Sequence, residues 1–128
     1  MGNGTSIGRV RGLGASHHGA HHWLVQRFTA IGNLVLMTWL LVSLALLGDY
    51  GHASVTKWLS HPINATAMIL LVTSLFWHAR LGLQVLIEDY VHEAGTKFGA
   101  IALLNLATIG GGAFGIFSVA ALVFGGKA

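Results

Sequence analysis

The sequence predicts an all-α membrane protein with three transmembrane helices, and three observations lead there. Hydrophobic residues make up 54% of the 128, and charged residues only 9%. An ordinary soluble domain carries about a quarter charged residues. Apolar segments occupy about residues 23–47, 62–87 and 98–124. At 1.5 Å per helical residue each exceeds a hydrocarbon core of roughly 30 Å. Finally, the middle segment carries two ionisable residues, His78 and Arg80, well inside its apolar run. Lipid-facing charge there is costly, so an intramembrane ionisable residue marks a functional site by default.

The chain divides into a polar, Gly- and His-rich arm, residues 1–22, and a three-span membrane domain, residues 23–128. There is no room for a soluble catalytic domain, so any enzymatic role is as part of a larger assembly. With no cysteine, the chain cannot form disulfides, attach a c-type haem covalently or ligate an iron–sulfur cluster through thiolates. A formal net charge of +3, scattered along the chain, makes no basic face for nucleic acid.

The arm lacks the apolar region of a cleavable signal peptide. Met1 to Ser6 fits an N-myristoylation pattern, but a chain with spanning helices has no need of one lipid's marginal binding. His17, His18, His21 and His22 form a cluster. Histidine-rich tracts can bind metal, which leaves open a metal or proton transporter component using the arm and His78. The other reading is a solvated arm: no carboxylate or cysteine accompanies the four, and no single helical face holds them all. His21 and His22 also stand beside the first helix.

The first span opens on Trp23, an interfacial anchor. Arg27, one turn inside, can reach back to the headgroups because helical side chains tilt towards the N-terminus. A cation at the positive end of a helix is nonetheless unfavourable, and an anionic partner would relieve it. Residues 48–61 read as a short solvated turn. Ser60 or His61 can cap the second helix, with Pro62 in its first position and Asn64 close to that entry. A second loop, Glu88 to Lys97, precedes the third span. There Ala107, Gly111 and Gly115 share one face at spacing four. Such a face admits close helix packing or a flat cofactor, and packing is the stronger reading. Gly125, Gly126 and Lys127 end the span. Arg9, Arg11, Arg27 and Lys97 outnumber Lys57 and Lys127 across the membrane. The positive-inside rule then places the N-terminus in the cytoplasm and the C-terminus outside.

His78 is the only histidine deep in a span, roughly 5 Å from the centre of its helix. Imidazole is a strong haem-iron ligand, and haem supplies electron transfer that protein side chains cannot. Ser74 and Gly82 lie on the same face, one turn to either side, and leave a slot for a macrocycle. The alternative is a neutral histidine bonded across helices. Met37 and Met68 are weak candidates for a second axial ligand, so it should come from another chain. The protein would then be half of a two-subunit haem-binding bundle. Arg80, two residues on, points elsewhere. It could meet a propionate or a partner-chain group, or serve as a structural arginine at a subunit interface. Tyr90 lies roughly 18 Å beyond His78 along a continued helix, at headgroup depth. Its hydroxyl could donate to a quinone carbonyl, and Asp89 could relay protons. An interfacial tyrosine beside a solvated acidic turn explains the same residues.

The run His22-Trp23-Leu24-Val25-Gln26-Arg27-Phe28-Thr29-Ala30-Ile31, followed by His78-Ala79-Arg80-Leu81-Gly82-Leu83-Gln84-Val85-Leu86-Ile87-Glu88-Asp89-Tyr90-Val91-His92, resembles the small, cytochrome b556-type membrane anchor of bacterial succinate dehydrogenase (succinate:quinone oxidoreductase). The resemblance runs from about residue 20 to the end. It implies a chain in the bacterial inner membrane, paired with a second three-span membrane anchor around one shared haem b. It also implies an iron–sulfur subunit and a flavoprotein docked on the cytoplasmic face, carrying the clusters and FAD, with ubiquinone as electron acceptor. By position, His78 resembles the axial haem ligand and Tyr90 the quinone-bonding tyrosine, with Asp89 beside it. Arg27 matches an arginine near the haem propionates and quinone pocket. Some relatives carry an aromatic residue at Arg80, and the arm before His21 is outside the shared pattern. The resemblance alone does not separate a succinate dehydrogenase anchor from a fumarate reductase anchor.

Overall fold

The computed structural model describes residues 19–125. The lipidation pattern at Met1–Ser6, His17, His18, Gly126 and Lys127 lie outside the described residues. Four helices follow in order: α1 (Gly19–Ala45), α2 (His52–Leu59), α3 (Pro62–Tyr90) and α4 (Ala94–Gly125). Ala20–Ala45, α3 and α4 are long and apolar enough to cross a membrane. No strand occurs among the described residues.

The connections differ from their expected form. The turn expected over residues 48–61 contains α2, because Val55, Trp58 and Leu59 give that stretch an apolar side. Leu59 is 4% exposed, and Trp58 stacks on Trp39 of α1 with ring centroids 5.6 Å apart. Gly48, at φ 73°, turns the chain after α1 through a conformation that costs glycine little. Asp49 then accepts hydrogen bonds from the Ser54 hydroxyl and the Gly51 N–H, which hold its carboxyl below the usual range. His61 occupies the N-cap position of α3, with Pro62 just inside, yet its side chain makes no capping bond. The Asn64 amide instead donates to the Trp58 carbonyl at 2.8 Å.

The second connection is much shorter than the expected Glu88–Lys97. α3 continues through Asp89 to Tyr90, and α4 begins at Ala94. Polar residues here finish helices rather than form a loop. The Glu93 carboxylate accepts the backbone N–H groups of Gly95 and Thr96, two donors that a helix start leaves without partners. The Thr96 hydroxyl and these N–H groups push the Glu93 carboxyl down to about 2. Lys97 Nζ donates to the Glu88 carbonyl at 2.9 Å.

α3 is the centre of the molecule. It packs against α1 on one side and α4 on the other, and α1 and α4 do not meet. The helical repeat explains this. Ser74, His78 and Gly82 form one row, and Val72, Phe76 and Arg80 another, displaced by two residues or roughly 200°. The first row faces α1: a methyl built on Gly32 would lie 3.8 Å from Ser74 Oγ, and one on Gly82 3.9 Å from Gln26 Nε2. The second row faces α4, where a methyl on Gly111 would fall 2.5 Å from Phe76 Cε1 and one on Gly115 2.8 Å from Val72 Cγ1. The glycine face of α4 is therefore a packing surface. Gly112 is buried beside it, whereas Ala107 is exposed.

A layer of three helices has two open faces. Large side chains such as Phe28, Leu34, Phe114 and Phe117 remain exposed, as suits a layer covered by lipid or other membrane helices rather than by water.

Candidate haem and quinone site

His78 is half-buried between α1 and α3. Its Nδ1 lies 2.9 Å from the Thr29 hydroxyl oxygen. That oxygen is also 3.0 Å from each of the Val25 and Gln26 carbonyls, one helical turn back. Among the described residues, Nε2 of His78 has no hydrogen-bond partner. An imidazole fixed through one ring nitrogen, with the other available, suits an axial position on haem iron. The space beside Ser74 and Gly82 is taken by α1, through Gly32 and Gln26. The slot expected there is closed, so any flat cofactor at His78 would have to enter from an open face of the layer.

A second ligand is not at hand within the described residues. Met68 is ten residues from His78 on the same helix, roughly 15 Å along the axis. Met37 lies five residues past Gly32, which is level with Ser74, and so is at a similar remove. Axial ligands of one iron lie only a few ångström apart. Asn33, one turn beyond Thr29, has a buried Oδ1 without a hydrogen-bond partner among the described residues. Among those residues, no three His, Cys, Asp or Glu side chains gather to hold a metal ion.

The two arginines behave differently, for the geometric reason the sequence suggests. Arg27 is exposed and lies over the Trp23 ring at 5.2 Å, reaching back towards the start of α1. The Arg80 side chain tilts the opposite way along its antiparallel helix. It lies 5.3 Å over the Trp77 ring, and its Nε donates to Asn105 Oδ1 on α4 at 2.6 Å. Arg80 thus has partners within the chain. It also lines a groove of about 340 Å³ with His21, His22, Trp77 and Gln84, which brings part of the histidine cluster to the α1–α3 seam. A larger cavity, about 770 Å³, lies at the opposite end, between α2, α3 and α4, with His52 and Lys57 in its lining.

Tyr90 and Asp89 stand on the last turn of α3, exposed, Tyr90 at 79%. Asp89 is eleven residues beyond His78, close to three turns, so it continues the α1-facing row. Tyr90 is rotated away by roughly 100° more. Walls for a quinone pocket would have to come from other chains.

Three residues of this site are not evident in the sequence alone. Asn105 and Asn33 carry a faint signal, because amides within apolar spans tend to bond across helices. Thr29 carries none: its importance depends on the register of α1 against α3.

These features define a class: a polytopic helical membrane subunit whose uncovered apolar faces and half-buried polar residues suit one part of a larger membrane assembly. Residues 1–112 match the family described as succinate dehydrogenase/fumarate reductase transmembrane subunit, and the chain belongs to that family. It is 34% identical over 109 residues to the succinate dehydrogenase hydrophobic membrane anchor subunit of Rickettsia bellii, covering 82% of this chain and 86% of that protein. It is 35% identical over 94 residues to the succinate dehydrogenase membrane anchor subunit of Reclinomonas americana, covering 71% and 78%. A more distant relative, the hydrophobic membrane anchor of Coxiella burnetii succinate dehydrogenase, is 25% identical over 95 residues, covering 74% and 83%. No solved structure gives a significant match.

Proposed function

We propose that this chain is a membrane-anchor subunit of succinate dehydrogenase, respiratory complex II, which ligates haem b through His78 and forms part of the ubiquinone-reduction site. The observation that carries the reading is the half-buried His78 ring, fixed at Nδ1 by Thr29, in a chain of this family. The family description includes fumarate reductase, while the relatives above are named for succinate dehydrogenase, which favours the latter.

When bound, a b-type haem supplies one-electron storage near the quinone. His78 would supply one ligand to the haem iron, and the second membrane anchor another. Arg27, a cation stacked on Trp23, would attract a propionate or the quinone headgroup. Tyr90 would donate its hydroxyl to a quinone carbonyl oxygen, and Asp89 would pass a proton from water as the quinone takes up two electrons and two protons. The iron–sulfur and flavoprotein subunits would carry the clusters and FAD. The lysine and arginine bias puts the N-terminus and the Asp89–Tyr90 end in the cytoplasm, with the C-terminus in the periplasm of a bacterial inner membrane.

Purification through a C-terminal tag on this chain tests the reading. The flavoprotein and iron–sulfur subunits should co-purify with a low-spin haem spectrum, and the tag should be open to protease only from the periplasmic side. A chain that isolates without either soluble subunit is not this anchor.

Tyr90→Phe removes one hydroxyl and little volume. It should slow quinone reduction, with assembly intact and succinate oxidation by a soluble dye unchanged. The lost hydrogen bond is worth on the order of 1 kcal/mol, or roughly five-fold in rate at saturation of that contact. Wild-type quinone kinetics would reduce Tyr90 to an interfacial anchor.

A further inference from the structure

We infer that Thr29 is a positioning residue for His78: it holds Nδ1 in the protonated form and so directs Nε2 to the iron. The inference rests on the assignment of His78 as a haem ligand. It adds a residue from another helix and a choice of ring nitrogen.

A threonine hydroxyl has one hydrogen to donate and two lone pairs to accept with. Thr29 Oγ1 is 3.0 Å from the Val25 carbonyl and 3.0 Å from the Gln26 carbonyl. Two carbonyl oxygens at 3.0 Å, both acceptors only, draw the single hydroxyl hydrogen towards the preceding turn, as is common for threonine inside a helix. The third contact, to His78 Nδ1 at 2.9 Å, then needs its hydrogen from the ring. Neutral imidazole carries one N–H, so with Nδ1 protonated, Nε2 bears the lone pair. The opposite tautomer would set an acceptor at Nδ1 against a hydroxyl already donating elsewhere, and would leave Nε2 unable to ligate.

The arrangement also fixes the ring's rotation. Thr29 belongs to α1 and His78 to α3, and the helices are held in register here by Gly32 against Ser74 and by Gln26 against Gly82. The close approach of two small residues one turn from Thr29 therefore sets the direction of Nε2. A ligating histidine that donates its second N–H is a stronger base towards the metal, and loss of such an acceptor typically costs about 10–100-fold in metal affinity or activity. A more basic ligand favours ferric over ferrous iron.

The test uses the assembled complex with Thr29→Val, which keeps the shape and deletes the hydroxyl, and Thr29→Ser, which keeps the hydroxyl and deletes the methyl. Redox titration and low-temperature electron paramagnetic resonance of the haem are the readouts. Thr29→Val should raise the haem midpoint potential, alter the low-spin g-values and weaken haem retention on dilution by about 10–100-fold. Thr29→Ser should restore all three towards wild type. Loss of haem in Thr29→Val but not in Thr29→Ser would also support the hydroxyl's role. Wild-type potential and g-values in Thr29→Val, or the same defect in both variants, would overturn the inference. His78→Ala separates this from failure of the underlying assignment: a low-spin spectrum that survives that change removes His78 itself as ligand.

Discussion

Replacing His78 by alanine should abolish the low-spin haem spectrum of the complex, compared at equal amounts of assembled protein. His78 is the histidine held at membrane depth, and neither Met37 nor Met68 lies near enough to take its place. Truncation to alanine leaves a space at the α1–α3 seam that no imidazole or thioether of this chain can fill, and water there is too weak a ligand to keep the iron low-spin. A haem that persists should be high-spin or five-coordinate, held by the partner anchor alone. The effect should extend to assembly, because a group that binds only the assembled state stabilises that state by mass action. The mutant complex should lose its membrane anchors at lower detergent concentration than wild type. His78→Ala with Thr29→Val should be no worse than His78→Ala alone, since Thr29 acts through the ring. An unchanged spectrum in His78→Ala would end the haem assignment for this chain.

Much of the fold is legible in the sequence because bilayer physics is simple. A run such as Pro62–Ile87, apolar and long, has one stable outcome in lipid, and α3 begins at Pro62. Both connections are harder. Residues 48–61 contain Asp49, His52 and Lys57, and polarity suggests a turn. The apolar side formed by Val55, Trp58 and Leu59 is too short for periodicity to stand out, and the burial of Leu59 emerges only once the short helix packs against α3 and α4. Glu88, Asp89 and Tyr90 look like loop residues for a related reason: at a membrane surface, charge marks depth and not the end of a helix.

The site is legible to the extent that it lies on one helix. The two-residue offset between His78 and Arg80 already separates their directions, and the structure sends one to α1 and the other to α4. Which residue each meets depends on the register of a second helix. Low-charge spans offer little from which to read register. Small-residue rows such as Gly111 and Gly115 show that a helix will approach closely, not which side chain it will meet. Thr29 and Asn105 therefore emerge only with packing.

Removing the acceptor for Arg80 should do more harm than removing Arg80. Arg80 sits inside the span, over Trp77 at 5.3 Å, with Nε on Asn105 Oδ1 at 2.6 Å. Asn105→Leu leaves a guanidinium without its α4 acceptor in a medium where a central arginine costs roughly 2.5–3.5 kcal/mol on an insertion scale. A loss on the order of 2–3 kcal/mol in α3–α4 association is expected, because a charged donor left unsatisfied bears its full desolvation cost. Arg80→Leu leaves only a neutral amide, and should lose about 1 kcal/mol. The double variant should recover most of the stability lost in Asn105→Leu, since replacing both members of a polar pair by apolar groups can be nearly neutral. Thermal release of subunits from the detergent-solubilised complex, across this double-mutant cycle, measures the coupling directly. If Asn105→Leu and the double variant release their subunits at the same temperature, Asn105 is not what holds Arg80, and the arginine is satisfied by a neighbour in the assembled complex.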